Sequence, residues 1–278
     1  MAPFRCFFID MPISQITPRL KIFYFDENQA ARRVILLLHG LGANADSWQL
    51  QIPALVAAGY RVIAPDLRGF GRSSYPGKIS VPDMAADCAA LMEHIEVNHF
   101  HVAGISMGGT VALELGLRYP QHLHTLALIN TFAQLKFSGS RHLLTLVRRI
   151  WLIYFTGLAR QAEWVVNDLF PRPEQELFRQ EFFREITSSD PRAYRAAMFA
   201  LWRYNAAPLL PTINHPTLII TAENDRTVLP GVQAELAQGI PGAQQVMISN
   251  AGHAVTAERA EAVNQILLNF LNDPVSFA

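Results

Sequence analysis

The chain has 278 residues, half of them hydrophobic, and its 23 basic and 23 acidic side chains leave a formal net charge of zero. A chain this long buries roughly three quarters of its unfolded surface, and this composition specifies a packed core rather than a disordered chain. The neutral balance speaks against a nucleic-acid or anionic-membrane partner, because both demand a basic face. No stretch approaches the ~18 uncharged apolar residues of a spanning helix, so no stable membrane insertion is expected. The N-terminus carries Arg5 and Asp10 and no long apolar run, unlike a secretory signal. The expectation is a soluble cytoplasmic protein, a monomer or small homo-oligomer. Cys6 and Cys88 read as buried free thiols, not as a disulfide framework or a metal cluster.

In chain order, residues 5–10 and 20–26 suggest an antiparallel edge hairpin. Short apolar runs follow at 34–38, 61–65, 100–103, 125–129, 217–220 and 245–248. Several are apolar throughout instead of alternating, as strands buried on both faces of a parallel sheet are. Helical patterns lie between them. One covers 47–58 and stops at Gly59. Another covers 81–95, after Ser80, with Pro82 and Asp83 in its first turn. A third runs over 107–119 and ends before Pro120, and a fourth over 257–271. Alternation of this kind predicts an α/β fold with a mostly parallel central sheet flanked by helices. The stretch 133–212 breaks it. That stretch has no buried-strand pattern, is helical in spacing and is rich in Trp, Tyr, Phe, Leu and Arg. It reads as an inserted helical cap, leaving 1–132 and 213–278 as the core domain.

Three sites carry chemistry. Gly104-Ile105-Ser106-Met107-Gly108-Gly109 follows an apolar run and opens a helical one, the setting of a G-x-S-x-G elbow. There a serine sits on a sharp, strained turn, flanking glycines remove colliding side chains, and the helix N-terminus faces the reacting centre. Ser106 is therefore the candidate nucleophile. Glu223 and Asp225 follow the run at 217–220, where a carboxylate at the end of a parallel strand is well placed for catalysis. Gly252-His253 follows the last strand, and the small residues Ala251 and Gly252 leave room for approach. Of nine histidines, His253 best suits a base. The order serine, acid, histidine ties these signals together.

With Ser106, Gly252-His253 and the segment Asp66-Leu67-Arg68-Gly69-Phe70-Gly71-Arg72-Ser73, the sequence resembles the α/β-hydrolase superfamily over nearly its whole length. It is most similar to capped members such as carboxylesterases, enol-lactonases and cofactor-free haloperoxidase-like hydrolases. The resemblance implies Asp225 as the acid that orients His253. It implies an oxyanion hole formed by the backbone N–H groups of Leu41, in His39-Gly40-Leu41-Gly42, and of Met107. His39 would support that loop, and the 66–73 segment would be structural. Relatives with aspartate in place of Ser106 form alkyl-enzymes; a serine implies an acyl-enzyme. The proline often found after the acidic residue of the terminal segment is absent, since Glu258 is followed by Arg259-Ala260.

The activity implied is hydrolysis of a carboxylic ester, apolar or aromatic and small, without metal or organic cofactor. Lactonase, carbon–carbon hydrolase, thioesterase or perhydrolase chemistry on the same triad, and a receptor role, are the alternatives. Within the cap, Trp151, Tyr154 and Trp202 are the expected pocket residues. The amphipathic stretch 142–160 reads as a lid rather than a membrane-surface helix.

Overall fold

The computed structural model describes residues 12–135, 148 and 155–274. Eight strands form one sheet: β1 (Ile13–Thr17), β2 (Leu20–Glu27), β3 (Arg33–Leu38), β4 (Tyr60–Pro65), β5 (Phe100–Ile105), β6 (Leu123–Ile129), β7 (Thr217–Ala222) and β8 (Gln244–Ile248). Their order is β1-β2-β4-β3-β5-β6-β7-β8. The pairings β1/β2 and β2/β4 are antiparallel and all others parallel. Every apolar run of the sequence lies in a strand. The edge hairpin differs from expectation: β2 pairs with Ile13–Thr17, while 5–10 and Cys6 lie outside the described residues. Two residues, Pro18 and Arg19, make that turn, and they place the strand nearer β2 than the apolar content of 5–10 suggested.

The helices among the described residues are α1 (Ile52–Ala57), α2 (Val81–His94), α3 (Met107–Arg118), α4 (Leu158–Leu169), α5 (Glu176–Ser188), α6 (Pro191–Arg203), α7 (Pro230–Gly239), α8 (Val255–Glu258) and α9 (Ala260–Asn272). Ser80 caps α2 by accepting from the Asp83 N–H, the stop-and-start chemistry read from the sequence. Two expected helices are divided. A 3₁₀ turn, Ala45–Trp48, precedes α1, because Pro53 at the second helical position suits a fresh start. Arg259 leaves the helical region (φ −135°) and separates α8 from α9. The helix α7 was not anticipated: it is short, opens with Pro230-Gly231, and buries only Gln233 and Leu236 deeply.

The inner strands β3 to β7 are buried on both faces, which accounts for their apolar runs, whereas the edge strands β1 and β8 each leave part of one face exposed. Along β3, Leu36 and Leu38 join the core that contains α2 and α3, while Ile35 and Leu37 join the core that contains α1 and α9. Cys88 is a buried free thiol in the first of these, and burial raises its pKa.

Between β6 and β7 the chain rises into α4, α5 and α6. It leaves and re-enters at one place. The Ala206 N–H donates to the Ala133 carbonyl at 2.9 Å, and Gln134 bridges Asn205. Tyr204 donates to Glu114 on α3 at 3.0 Å. Buried Ala162, Val166, Ile186, Tyr194 and Leu201 continue the α2/α3 core into this insertion. Phe155, Phe199 and Trp202 stay largely exposed. No described helix is long and apolar enough to cross a membrane.

Candidate active site

Ser106 stands between the last residue of β5 and the first of α3 with φ 54° and ψ −116°. A non-glycine residue there carries strain of roughly 1–3 kcal/mol, sustained only when its surroundings hold it. They do. The Ser106 N–H donates to Ile129 at 3.0 Å, and its carbonyl accepts from the Thr110 N–H at 3.1 Å and the Thr131 hydroxyl at 2.7 Å. The glycines are steric requirements. A Cβ on Gly104 would meet the Gly108 carbonyl at 2.2 Å, and one on Gly108 the Leu38 carbonyl at 2.0 Å. Gly109 is equally constrained, by Thr131 at 2.5 Å, so the motif extends one residue further than its consensus.

Asp225 follows β7 and its side chain is fully buried. One oxygen accepts from the Thr227 and Val228 N–H groups at 2.8 and 2.9 Å. The other lies 2.8 Å from His253 Nδ1 and accepts from Gln233 Nε2 at 3.3 Å. Four donors hold this carboxylate in place, and through its contact with Nδ1 it fixes the ring of His253. Glu223, the alternative acid, faces elsewhere and accepts from the Asn250 N–H at 2.9 Å.

His39 is fully buried, with Nδ1 2.8 Å from the Gly40 carbonyl and Nε2 accepting the Leu67 N–H at 2.9 Å. Burial lowers its pKa, and a neutral ring with Nδ1 protonated satisfies both bonds. It braces the loop after β3 and is not a free base. Gly40 lies against Ser106, where an added Cβ would stand 3.6 Å from the serine Cβ, Leu41 lines the same cavity, and Met107 opens α3 directly after Ser106. Among the described residues neither the Leu41 nor the Met107 backbone N–H has a protein acceptor. The 66–73 segment is a brace too. Asp66 is buried and accepts from the Ala45 N–H at 2.7 Å and from Arg72 Nε at 2.8 Å, and a Cβ on Gly71 would strike it at 2.3 Å.

Ser106 and His253 line one cavity of about 220 Å³ between the loops of the sheet and the insertion. Its walls are mainly apolar, with Leu41, Phe132 and Ile105 below and Trp164, Phe182 and Met198 above. Trp202 lines it as expected, although half of its surface faces solvent. Trp151 and Tyr154 lie outside the described residues. Gly42 (φ 80°) is pressed from above, for a Cβ there would meet Tyr194 at 2.9 Å and Ile186 at 3.0 Å. Next to Ile186, Glu185 Oε2 is buried without a hydrogen-bond partner among the described residues. Its pKa is pushed up to about 8 by burial and then by the negative charge of Asp46.

Two residues have contacts that the sequence pattern does not announce. Asn130, just beyond β6, adopts φ 44°. Its amide donates to the carbonyls of His253 (2.9 Å) and Gly252 (3.2 Å), and its oxygen accepts the Ala222 N–H at 2.8 Å. One side chain thus links the strand end before Asp225 to the loop of His253. Its left-handed backbone is common for asparagine, but no spacing in the sequence announces the contact. Glu258 is the second. It accepts from the Gly252 N–H at 3.1 Å and from Gln175 of the insertion at 3.1 Å.

No group of three or more His, Cys, Asp or Glu suited to a metal ion occurs among the described residues. Comparison with known proteins agrees with the fold. A family model for the alpha/beta hydrolase fold matches residues 33–260. The chain is 29% identical to a 2-hydroxy-6-oxononadienedioate/2-hydroxy-6-oxononatrienedioate hydrolase of a Pseudomonas species, covering 86% of this chain and 87% of that one. It superposes on the enol-lactonase of Burkholderia xenovorans LB400 with a TM-score of 0.85 at 26% identity, over 94% of this chain and 100% of the other. A malate-bound thermophilic esterase from Thermogutta terrifontis gives 0.80 at 25% identity, over 96% and 98%. The chain belongs to the alpha/beta hydrolase family.

Proposed function

We propose that this hydrolase cleaves a small, apolar or aromatic carboxylic ester through an acyl-enzyme on Ser106. The observation that carries the reading is the buried Asp225–His253 pair, 2.8 Å apart, at the edge of the cavity that Ser106 also lines. Ser106 Oγ attacks the ester carbonyl as His253 Nε2 takes its proton. Asp225 keeps Nδ1 protonated and stabilises the imidazolium. The unengaged N–H groups of Leu41 and Met107 suit the oxyanion, the term on which acyl transfer most depends. His253 then protonates the leaving alkoxide, and water repeats the sequence on the acyl-enzyme. The cavity is smaller than the roughly 300–1,000 Å³ of pockets for drug-sized ligands, which favours short acyl groups.

The test is initial rates on p-nitrophenyl esters from acetate to dodecanoate, for wild type and Ser106→Ala in parallel. Turnover with a burst, an optimum at short chains, and its loss in Ser106→Ala support the proposal. No turnover by wild type sinks it. A second reading, cleavage of a carbon–carbon bond in a 2-hydroxy-6-oxo acid, draws on the likeness to the Pseudomonas enzyme. It would then take precedence.

A further inference from the structure

His253 borders two spaces. One is the apolar cavity above Ser106. The other is an adjoining polar cleft of about 250 Å³ whose walls include Arg172, Gln175, Asn224, Arg226 and Asn250. We propose that this cleft receives the leaving alcohol and that Arg226 selects alcohols bearing a carboxylate. The inference rests on the serine-hydrolase reading above.

The first step is mechanistic. The same imidazole that activates Ser106 must reach the leaving oxygen, so the alcohol departs on the His253 side. Of the two spaces that meet there, the apolar one suits an acyl chain and the polar one a polar alcohol. The second step is charge. Arg226 lines both spaces, is exposed, and follows Asp225 directly, so a well-anchored backbone carries it. Among the described residues no carboxylate lies within ion-pair distance of it. A guanidinium so placed offers two parallel N–H donors to a planar carboxylate.

The other charges in the cleft do not serve as well. Arg172 faces Glu258 at 3.5 Å and Glu174 at 3.7 Å. Glu258 is only 4% exposed and is occupied by the Gly252 N–H and Gln175. Asp168, on α4, lines both spaces from the insertion side. An acidic side chain there disfavours a carboxylate along that wall and works against the preference that Arg226 supplies.

The experiment compares 4-nitrophenyl butyrate with 3-carboxy-4-nitrophenyl butyrate, which share an acyl group and differ by one carboxylate on the alcohol. The quantity read is the ratio of kcat/KM, carboxylated over neutral, divided by the same ratio for alkaline hydrolysis. Wild type is expected to give a ratio above one. Arg226→Gln lowers it about tenfold, mainly through KM, and Asp168→Asn raises it. Added salt shrinks the wild-type preference. An Arg226→Gln ratio equal to wild type overturns the inference, as does an equal loss on both esters. If wild type hydrolyses neither ester, the serine-hydrolase reading itself falls and takes the inference with it.

Discussion

The ends of β5, β6 and β7 and the helices above them are built on different physics. At the strand ends, polar groups are paired one by one. Asp225 has four donors, Asn130 binds three backbone groups, and Ser106 is clamped through its own N–H and carbonyl. The insertion over the cavity meets the site chiefly through rings and aliphatic side chains such as Trp164, Phe182, Met198 and Trp202. Hydrogen bonds of fixed direction hold reacting atoms to fractions of an ångström. Dispersion contacts are individually small and tolerate exchange of one ring for another. A fold divided in this way can change its substrate above the sheet without disturbing the chemistry at its edge.

Substitutions can break that division, beginning with the most severe. Asp225→Asn keeps the shape but removes the charge and the preferred His253 tautomer. It should lower kcat about 10⁴-fold with KM little changed; a loss under tenfold would show that Asp225 does not orient the base. Asn130→Ala removes a positioning residue, not a reacting one. It should lower kcat by one to two orders of magnitude at nearly constant KM, since misplacement of about 1 Å can cost 10²-fold. A change confined to thermal stability would assign Asn130 to folding alone.

Within the insertion, Glu185 makes a pH prediction. Its carboxyl, held protonated by burial and by Asp46, binds its proton more tightly in the folded chain than in the unfolded one. Asp66, Asp46 and Glu181 face it with like charge and Arg184 with opposite charge. Stability from this group is complete below the unfolded pKa near 4.5 and is lost as pH rises through about 8. The Tm of wild type should therefore fall between about pH 5 and 8, and Glu185→Gln should flatten that fall. Identical slopes in the two proteins would remove Glu185 from the account. The mildest change is Trp202→Ala. The ring is half exposed, so stability should move by about 0.5 kcal/mol or less, while KM for aromatic esters rises severalfold and kcat holds. A large fall in kcat would mean that the insertion takes part in the chemistry.

The same division explains how much of the molecule is legible in its sequence. Strands β3 to β7 were visible as apolar runs because both faces of each are buried. Ser106 and its glycines were visible because a strained turn permits few residue types. Asp225 was not separable from Glu223 by sequence position alone; its contact with His253, which Glu223 lacks, spans 28 residues of chain. Asn130 and Glu258 act across 123 and 83 residues of chain, a separation that leaves no local pattern. The break at Arg259 was hidden because Val263, Leu267 and Phe270 keep their helical spacing on one side of it. The pocket was the least legible part, since rings that pack an insertion and rings that line its cavity share one composition.

The most direct test of the account is covalent. Wild-type protein treated with a fluorophosphonate should take up one phosphonyl group per chain, found by peptide mass mapping on Ser106. The Ser106→Ala protein should take up none. Labelling at another residue, or ester hydrolysis that survives in Ser106→Ala, would contradict an acyl-enzyme at this elbow.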